Sequence, residues 1–264
     1  MSLSDAEVAI AAAEAGAVIV RARFGTPLTR VEKAPMDFAT DADIAAERAI
    51  LDVLRDARPA DGYQGEELGA SGRASADRVW LIDPLCGTLN FAAQTPLLAV
   101  NVALRTASNV EAAAAAGPLA GEVFWTDGQH AFVRREGTDQ ALAPSADTRL
   151  VDVNLDPPFP GAEQFLAARM LAEPAFMTAF RPRVSSTTLA LAWVAAGRRA
   201  AYVTDGYLRD SVHFSAGIAL GQAAGCVITD LRGQPVHAGP GLIAAADAPT
   251  HAALIEIIAR QPRD

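Results

Sequence analysis

The sequence predicts a mixed fold whose first part is α+β and whose second part is α/β. Two amphipathic helical segments come first, a run of β-type segments separated by Gly and Pro turns follows, and helix-like and strand-like segments alternate from Thr148 onwards. Hydrophobic residues make up 51% of the 264 positions, which is ample for a sizeable core. We expect two halves, residues 1–145 and 146–264, that together form one compact catalytic-type unit.

Hydrophobic periodicity predicts two helices at the start of the chain. The first covers residues 4–23 and is stopped by Gly25 and Pro27. The second covers residues 42–58, where Pro59 ends the pattern.

The middle of the chain reads as strands. Two β-type segments, "GYQGEELG" and "RVWLIDPLCGT", each end in acid and glycine. The segments "LLAVNVALRTA", "GEVFWTD" and "HAFVRRE" then read as consecutive strands, which indicates an antiparallel sheet. The alanine run that follows the first of these is too short for a low-complexity linker.

Charge and cysteine content exclude several function classes. A net charge of -9 without a clustered basic face argues against a nucleic-acid partner. An anionic small substrate would need local help, such as a cation. Two cysteines cannot build a disulfide framework and fit a reducing compartment, so cytoplasm is expected. The sequence predicts no signal peptide and no membrane span.

Three motifs offer chemistry, and each has a plain structural alternative. Glu66 of "GEE" and Asp83, which ends the next strand, could converge on one hard cation, but an acidic loop in solvent would look the same. Thr40 and Asp43 form either a helix-capping pair or part of a catalytic segment. His213 could be a ligand or a packing residue at a helix start.

Taken together, these motifs stand in the order and spacing of a known family. The matching pieces are "DFATDADIAAE", "GEE", "WLIDPLCGTLNF", "TPLLAVNVAL", "SSTTLALAWVAAGRRAAY", "VHFSAGIALGQAAGCVITD" and "GLIAAADAPTHAALIEII". Over nearly its whole length the chain resembles the inositol monophosphatase family of magnesium-dependent, lithium-sensitive phosphomonoesterases. The resemblance implies a five-layered αβαβα sandwich of the sugar-phosphatase type.

The resemblance also implies roles for individual residues. Glu66, Asp83 and the Leu85 carbonyl would hold a first Mg2+. Thr88, paired with Asp43, would activate the attacking water.

Substrate binding carries over as well. Main-chain donors around Gly87 and Thr88 would lie near the substrate phosphate, as oriented N–H groups do in anion-binding turns. Lys33 is a further substrate-binding candidate. The resemblance implies a small sugar or polyol phosphate as substrate and allows a homodimer.

The second metal site of the family departs from the pattern. Its ligands fall on Asp83, Cys86 and His213, so a thiol and an imidazole stand where hard oxygen ligands are expected, and Mg2+ should bind poorly there. Three interpretations stay open: a phosphatase weakened or altered at this site, a non-catalytic relative that binds a ligand or protein, and an enzyme that uses a softer ion such as Zn2+, with Mn2+ also possible.

Overall fold

The structure, a computed structural model, describes residues 3–34, 37–73, 76–107, 109–155 and 166–261. These residues group into two compact units. The first unit consists of Met1–Ala141, Thr187–Leu189 and Asp210–Leu220, and the second of Leu142–Ser186, Ala190–Arg209 and Gly221–Asp264. Two short segments from late in the chain therefore belong to the first unit, and they bring Thr188 and His213 into it.

The helices, in chain order, are α1 (Asp5–Arg23), α2 (Asp41–Ala57), α3 (Thr88–Ala92), α4 (Leu166–Met170), α5 (Pro174–Ala179), α6 (Leu189–Ala195), α7 (Ser215–Ala224) and α8 (Ala248–Ala259). The strands of the first unit are β1 (Arg30–Ala34), β2 (Asp37–Thr40), β3 (Gly62–Gly65), β4 (Ala70–Gly72), β5 (Val79–Cys86), β6 (Ala99–Arg105), β7 (Val110–Gly117), β8 (Glu122–Thr126), β9 (Ala131–Arg135) and β10 (Thr138–Ala141). The strands of the second unit are β11 (Leu150–Asn154), β12 (Arg181–Val184), β13 (Ala201–Thr204), β14 (Val227–Thr229) and β15 (Leu242–Ala245).

Both predicted N-terminal helices are confirmed, and each begins with a side-chain cap. The Ser4 hydroxyl accepts a hydrogen bond from the Glu7 N–H at the start of α1. Thr40 and Asp43 form a capping box at the start of α2. One face of each helix is buried against the sheet of the first unit, so packing adds to the stability that the caps provide.

Eight strands of the described part of the first unit form one sheet, in the order β10-β9-β8-β7-β6-β5-β3-β4. Only β3 and β5 pair in parallel among these described strands. The antiparallel pairing of β8 with β9 is confirmed.

The prediction that β8 directly follows β6 is wrong, because the alanine-rich segment forms β7 between them. Alanine favours helices, so intrinsic propensity hides this strand. Packing explains it: Ala112, Ala114 and Ala116 lie in the core that contains α1, and Ala113 lies on the other face with Ala216 of α7. The small methyl side chains on both faces of β7 allow these neighbouring elements to pack closely against it.

Five strands of the described part of the second unit form a sheet in the order β12-β11-β13-β15-β14. Its core joins apolar residues of β11, β13 and β15 to those of α4, α5 and α8. The alternating pattern predicted from Thr148 onwards is therefore confirmed for the described residues, although the first part of "AEQFLAARMLA" lies outside them. Among the helices described, none is long and apolar enough to cross a bilayer.

Candidate active site

The parallel pairing of β3 with β5 brings the two acidic motifs together. Gly65 lies opposite Ile82 in this register, and the Glu66 N–H donates to the Ile82 carbonyl at 3.1 Å. Because the two strands run in the same direction, Glu66, which follows β3, and Asp83, near the end of β5, lie side by side at the same end of the sheet. The sequence segment that links them forms β4, which only lines the outer edge.

A third side chain completes a group of candidate ligands. One ligand atom each of Glu66, Asp83 and His213 lies within 4.8 Å of the others. His213 Nδ1 is 2.9 Å from Asp83 Oδ2 and 3.9 Å from Glu66 Oε2. His213 therefore faces the acidic pair. The structural alternative considered from the sequence was that His213 packs at the start of a helix.

Asp83 is fully buried and held from several sides. Its Oδ1 accepts from the Leu85 N–H at 3.2 Å, and its Oδ2 accepts from Asn101 Nδ2 at 3.3 Å. The Leu85 carbonyl oxygen lies 3.3 Å from Thr88 Oγ1. A short bulge of β5 between Asp83 and Cys86 lets the chain turn here and carry these groups together.

Lys33 lies over the two glutamates of "GEE". Its Nζ is 3.2 Å from Glu66 Oε1 and 2.6 Å from Glu67 Oε1. Burial lowers the pKa of Lys33, but the two carboxylates outweigh it and raise this pKa above its usual range. Lys33 is thus a fixed cation at the site, available to a bound anion only in competition with Glu66 and Glu67.

The charges at the strand ends perturb one another. Burial and the nearby Asp83 carboxylate raise the pKa of Glu66 above its usual range. Burial lowers the pKa of His213, but Asp83 and Glu66 together raise it to about 9. In the absence of a bound cation His213 is therefore an imidazolium at neutral pH, paired with Asp83.

The predicted pair of Thr88 and Asp43 is in hydrogen-bonding contact. Thr88 Oγ1 lies 3.0 Å from Asp43 Oδ1, and Asp43 Oδ2 accepts from the Thr40 N–H at 2.8 Å. Burial raises the pKa of Asp43 although these hydrogen bonds oppose the shift. Thr40 and Asp43 thus serve both interpretations of the sequence, since the carboxylate that caps α2 also holds Thr88.

Gly87 sets the turn that presents Thr88. Its φ of 98° lies in the left-handed region, and a Cβ there would lie 2.9 Å from the Leu97 carbonyl oxygen. Thr88 begins α3 directly after this turn. Only glycine permits this close approach without strain, which agrees with the tight turn expected at the phosphate-binding position.

A buried glutamate on α2 fixes the loop that carries Glu66. Glu47 is fully buried, and its carboxylate accepts from the Glu67 N–H at 2.8 Å and the Leu68 N–H at 3.0 Å. A Cβ on Gly65 would lie 1.7 Å from Glu47 Oε1. The glycine of "GEE" therefore makes room for the carboxylate that orders the following residues.

We expect Gly65→Ala to destabilise the protein by displacing Glu47. The two lost hydrogen bonds to a charged acceptor are each worth about 1.5–3 kcal/mol, so a fall of about 3–6 kcal/mol in the free energy of unfolding is expected in urea titrations. In a Glu47→Ala background the same Gly65→Ala change has room for its methyl group and should cost far less. Equal costs in the two backgrounds would show that the clash with Glu47 is not the cause.

Cys86 does not join the candidate ligands among the described residues. Its Sγ accepts from the Thr188 N–H at 3.4 Å, and the group that could hold an ion contains only Glu66, Asp83 and His213. Burial and the neighbouring Asp83 raise the pKa of the Cys86 thiol well above its usual range. The thiol is therefore protonated in the absence of a bound cation.

Sequence reasoning missed the parts played by Glu47, Asn101 and Thr188. Asn101 interrupts an apolar run in "LLAVNVAL", and a polar residue inside a buried strand is a signal that could have identified it. Glu47 lies one turn after Asp43 on α2, which places both carboxylates on the same face of that helix. Thr188 carries no comparable sequence signal.

The residues present fit a divalent cation of the hard type. Glu66 and Asp83 offer carboxylate oxygens, the ligands that Mg2+ prefers. Acidic side chains also outnumber the two basic ones, Lys33 and His213, in this site. The acids are Asp43, Glu47, Glu66, Glu67 and Asp83. A bound cation would therefore offset the excess negative charge.

Two proteins of known name are similar in sequence to most of this chain. An inositol-1-monophosphatase from Caulobacter vibrioides is 35% identical over 213 residues, which are 78% of this chain and 80% of that protein. A protein named Nus factor SuhB from Escherichia coli is 31% identical over 238 residues, or 86% of this chain and 85% of that protein.

Solved structures give the same answer for the fold. The extragenic suppressor protein suhB from Bartonella henselae superposes with a TM-score of 0.84 at 26% identity, covering 97% of this chain and 98% of that one. An IMPase from Thermotoga maritima superposes with a TM-score of 0.78 at 21% identity, covering 96% of each chain. The predicted αβαβα sandwich of this type is thus confirmed. Since the model of the inositol monophosphatase family matches residues 3–263, the chain belongs to that family.

Proposed function

We propose that the protein is a metal-dependent phosphomonoesterase that acts on a small sugar or polyol phosphate and is weakened or altered at the second metal site. The observation that carries this proposal is the convergence of Glu66 and Asp83 beside the hydrogen-bonded pair of Thr88 and Asp43. Leu85 connects the two pairs, because its N–H donates to Asp83 Oδ1 and its carbonyl oxygen lies 3.3 Å from Thr88 Oγ1.

The chain's own residues can hold and direct a water molecule. The Thr88 hydroxyl points its proton to Asp43 Oδ1, which leaves a lone pair on Oγ1 to accept a hydrogen bond from water. A proton passed from that water through Oγ1 would reach Asp43, whose raised pKa favours holding it. Gly87 and Thr88 would bind the phosphate through main-chain N–H groups.

A divalent cation held by Glu66, Asp83 and the Leu85 carbonyl would polarise a phosphoryl oxygen and lower the pKa of bound water. The second site is the weak one in this proposal. His213 pairs with Asp83 Oδ2 at 2.9 Å, and Cys86 turns to the Thr188 N–H, so neither supplies a hard oxygen.

Phosphate release from a panel of phosphomonoesters tests the proposal directly. The panel would be run on the native protein with Mg2+, Mn2+ and Zn2+ compared, and with EDTA as the blank. Slow, cation-dependent release from at least one sugar or polyol phosphate is expected. Release that EDTA leaves unchanged, or no release with any of the three cations, would contradict the proposal.

A binding role without catalysis is the second candidate. It is favoured by the His213 imidazolium, which pairs with Asp83 where a cation would otherwise bind. Relatives that bear the name Nus factor belong to the same family, and that name does not describe a phosphatase. Absence of turnover together with retained binding of a phosphomonoester would support this role.

The third interpretation, a softer ion held by Asp83, Cys86 and His213, gives a prediction about Zn2+. Because the Cys86 thiol contacts Thr188 and not the ligand group, we expect Cys86→Ser to bind Zn2+ as well as the native protein does in isothermal titration. A clear loss of Zn2+ affinity in the variant would show instead that the thiolate is a ligand.

Three further features stay predictions of the same proposal. We expect the protein to act in the cytoplasm and to have no nucleic-acid partner, and the family resemblance allows a homodimer. Size-exclusion chromatography with light scattering would measure the last of these.

A further inference from the structure

Asn101 is a polar residue in the middle of an apolar strand. It is 1% exposed on β6, and its sequence neighbours Val100 and Val102 are fully buried. In the sheet it lies between Asp83 of β5 and Ala115 of β7. An amide at such a position is costly to fold unless its hydrogen bonds are used.

Among the described residues, the donor end of the Asn101 amide is hydrogen-bonded and its acceptor end is not. Asn101 Nδ2 lies 3.3 Å from Asp83 Oδ2 and 2.9 Å from Thr188 Oγ1. Its buried Oδ1 has no hydrogen-bond partner among the described residues. The donor end faces Asp83, because an amide oxygen and a carboxylate oxygen at this distance, both acceptors, would repel each other.

These contacts give Asn101 control over the orientation of Asp83. The Leu85 N–H holds Oδ1 of the carboxylate, while Oδ2 is shared by Asn101 and His213. The Asn101 amide is a neutral donor on the strand next to Asp83, so it can keep its hydrogen bond to Oδ2 when a cation is bound to the same carboxylate.

We propose that Asn101 is a positioning residue that orients Asp83 for cation binding and anchors Thr188, whose N–H contacts Cys86. The inference rests on the proposed function, since it assigns a role toward the cation that function requires. Groups that hydrogen-bond to metal-binding carboxylates typically change cation affinity about 10–100-fold when they are replaced.

A purely structural role makes a different prediction about the cation. If Asn101 only held the fold together, its replacement would lower the melting temperature but leave the cation affinity of the folded protein unchanged. A leucine has nearly the same shape but no polar atoms, so Asn101→Leu removes the unpartnered Oδ1 and also the donor to Asp83 and Thr188. Because two buried oxygens lose a hydrogen bond, we expect a lower melting temperature, and cation affinity is therefore measured well below it.

The experiment compares Asn101→Leu and Asn101→Ser with a control, Asn154→Leu. Asn154 is also buried, and its Nδ2 donates to the Tyr202 hydroxyl at 3.1 Å on strands of the second unit. Mn2+ affinity is measured by isothermal titration, melting temperature by circular dichroism, and phosphate release as a function of Mn2+ concentration.

The expected result is a loss of Mn2+ affinity of about 10–100-fold in Asn101→Leu, with part of it recovered by the serine hydroxyl in Asn101→Ser. The Mn2+ concentration for half-maximal release should rise by the same factor, while kcat at saturating Mn2+ stays near the native value. Asn154→Leu should keep native Mn2+ affinity. Native affinity in Asn101→Leu, or the same loss in Asn154→Leu, would overturn this inference alone. A native protein that binds no Mn2+ would overturn the proposed function and this inference with it.

Discussion

Thr88→Val is expected to lower the rate of phosphate release by about 10²–10⁴-fold, the range that a positioned proton acceptor contributes. Valine keeps the shape of the side chain but removes Oγ1, the atom that lies 3.0 Å from Asp43 Oδ1 and 3.3 Å from the Leu85 carbonyl oxygen. Water at the site then loses its acceptor, and Asp43 loses the proton relay that connects it to the reaction. The measurement is kcat at saturating substrate and cation.

Two comparisons separate this effect from loss of folding. Thr88→Ser keeps the hydroxyl and should retain most of the activity. Thr126→Val removes a buried hydroxyl on β8, where Thr126 Oγ1 accepts the Gly128 N–H at a turn, and should leave kcat unchanged. If Thr88→Val were as active as the native protein, the role assigned to Thr88 and Asp43 would be wrong.

The helices and the site pairs could be predicted from sequence because local signals and motif order agree with tertiary packing. Both N-terminal helices bury one face and begin with a side-chain cap, so local signals and packing favour the same structure. The proximity of Glu66 and Asp83 follows once the two neighbouring strands that carry these acids near their ends are known to be parallel.

The rest depends on contacts between distant segments. Strand β7 was missed because alanine itself favours helices, and only the two faces that pack against it make it a strand. The thiol of Cys86 turns to Thr188, which is 102 positions later in the chain, and no spacing rule places these residues together. The Asn101 amide likewise reaches Thr188 across 87 positions.

The double variant Cys86→Asp with His213→Asp is expected to bind Mg2+ more tightly and to release phosphate faster. The two changes supply carboxylate oxygens next to Asp83 in place of a protonated thiol and an imidazolium. A cation that stabilises the leaving oxygen is worth several kcal/mol in two-metal hydrolysis, so a gain of about 10²–10³-fold in kcat at saturating Mg2+ is expected.

Stability gives a second, independent measurement of the same change. His213 now neutralises part of the charge on Asp83 and Glu66, and its replacement by Asp adds repulsion in a site where Asp83 is fully buried. The double variant should therefore melt at a lower temperature than the native protein in EDTA. Added Mg2+ should raise its melting temperature more than that of the native protein, because ligand binding to the folded state raises stability by RT ln(1 + [L]/Kd). His130→Asp makes the same residue change on an exposed turn of the first unit and should leave the Mg2+ response unchanged. If the double variant responds to Mg2+ no more than His130→Asp does, loss of hard ligands at Cys86 and His213 is not what limits this site.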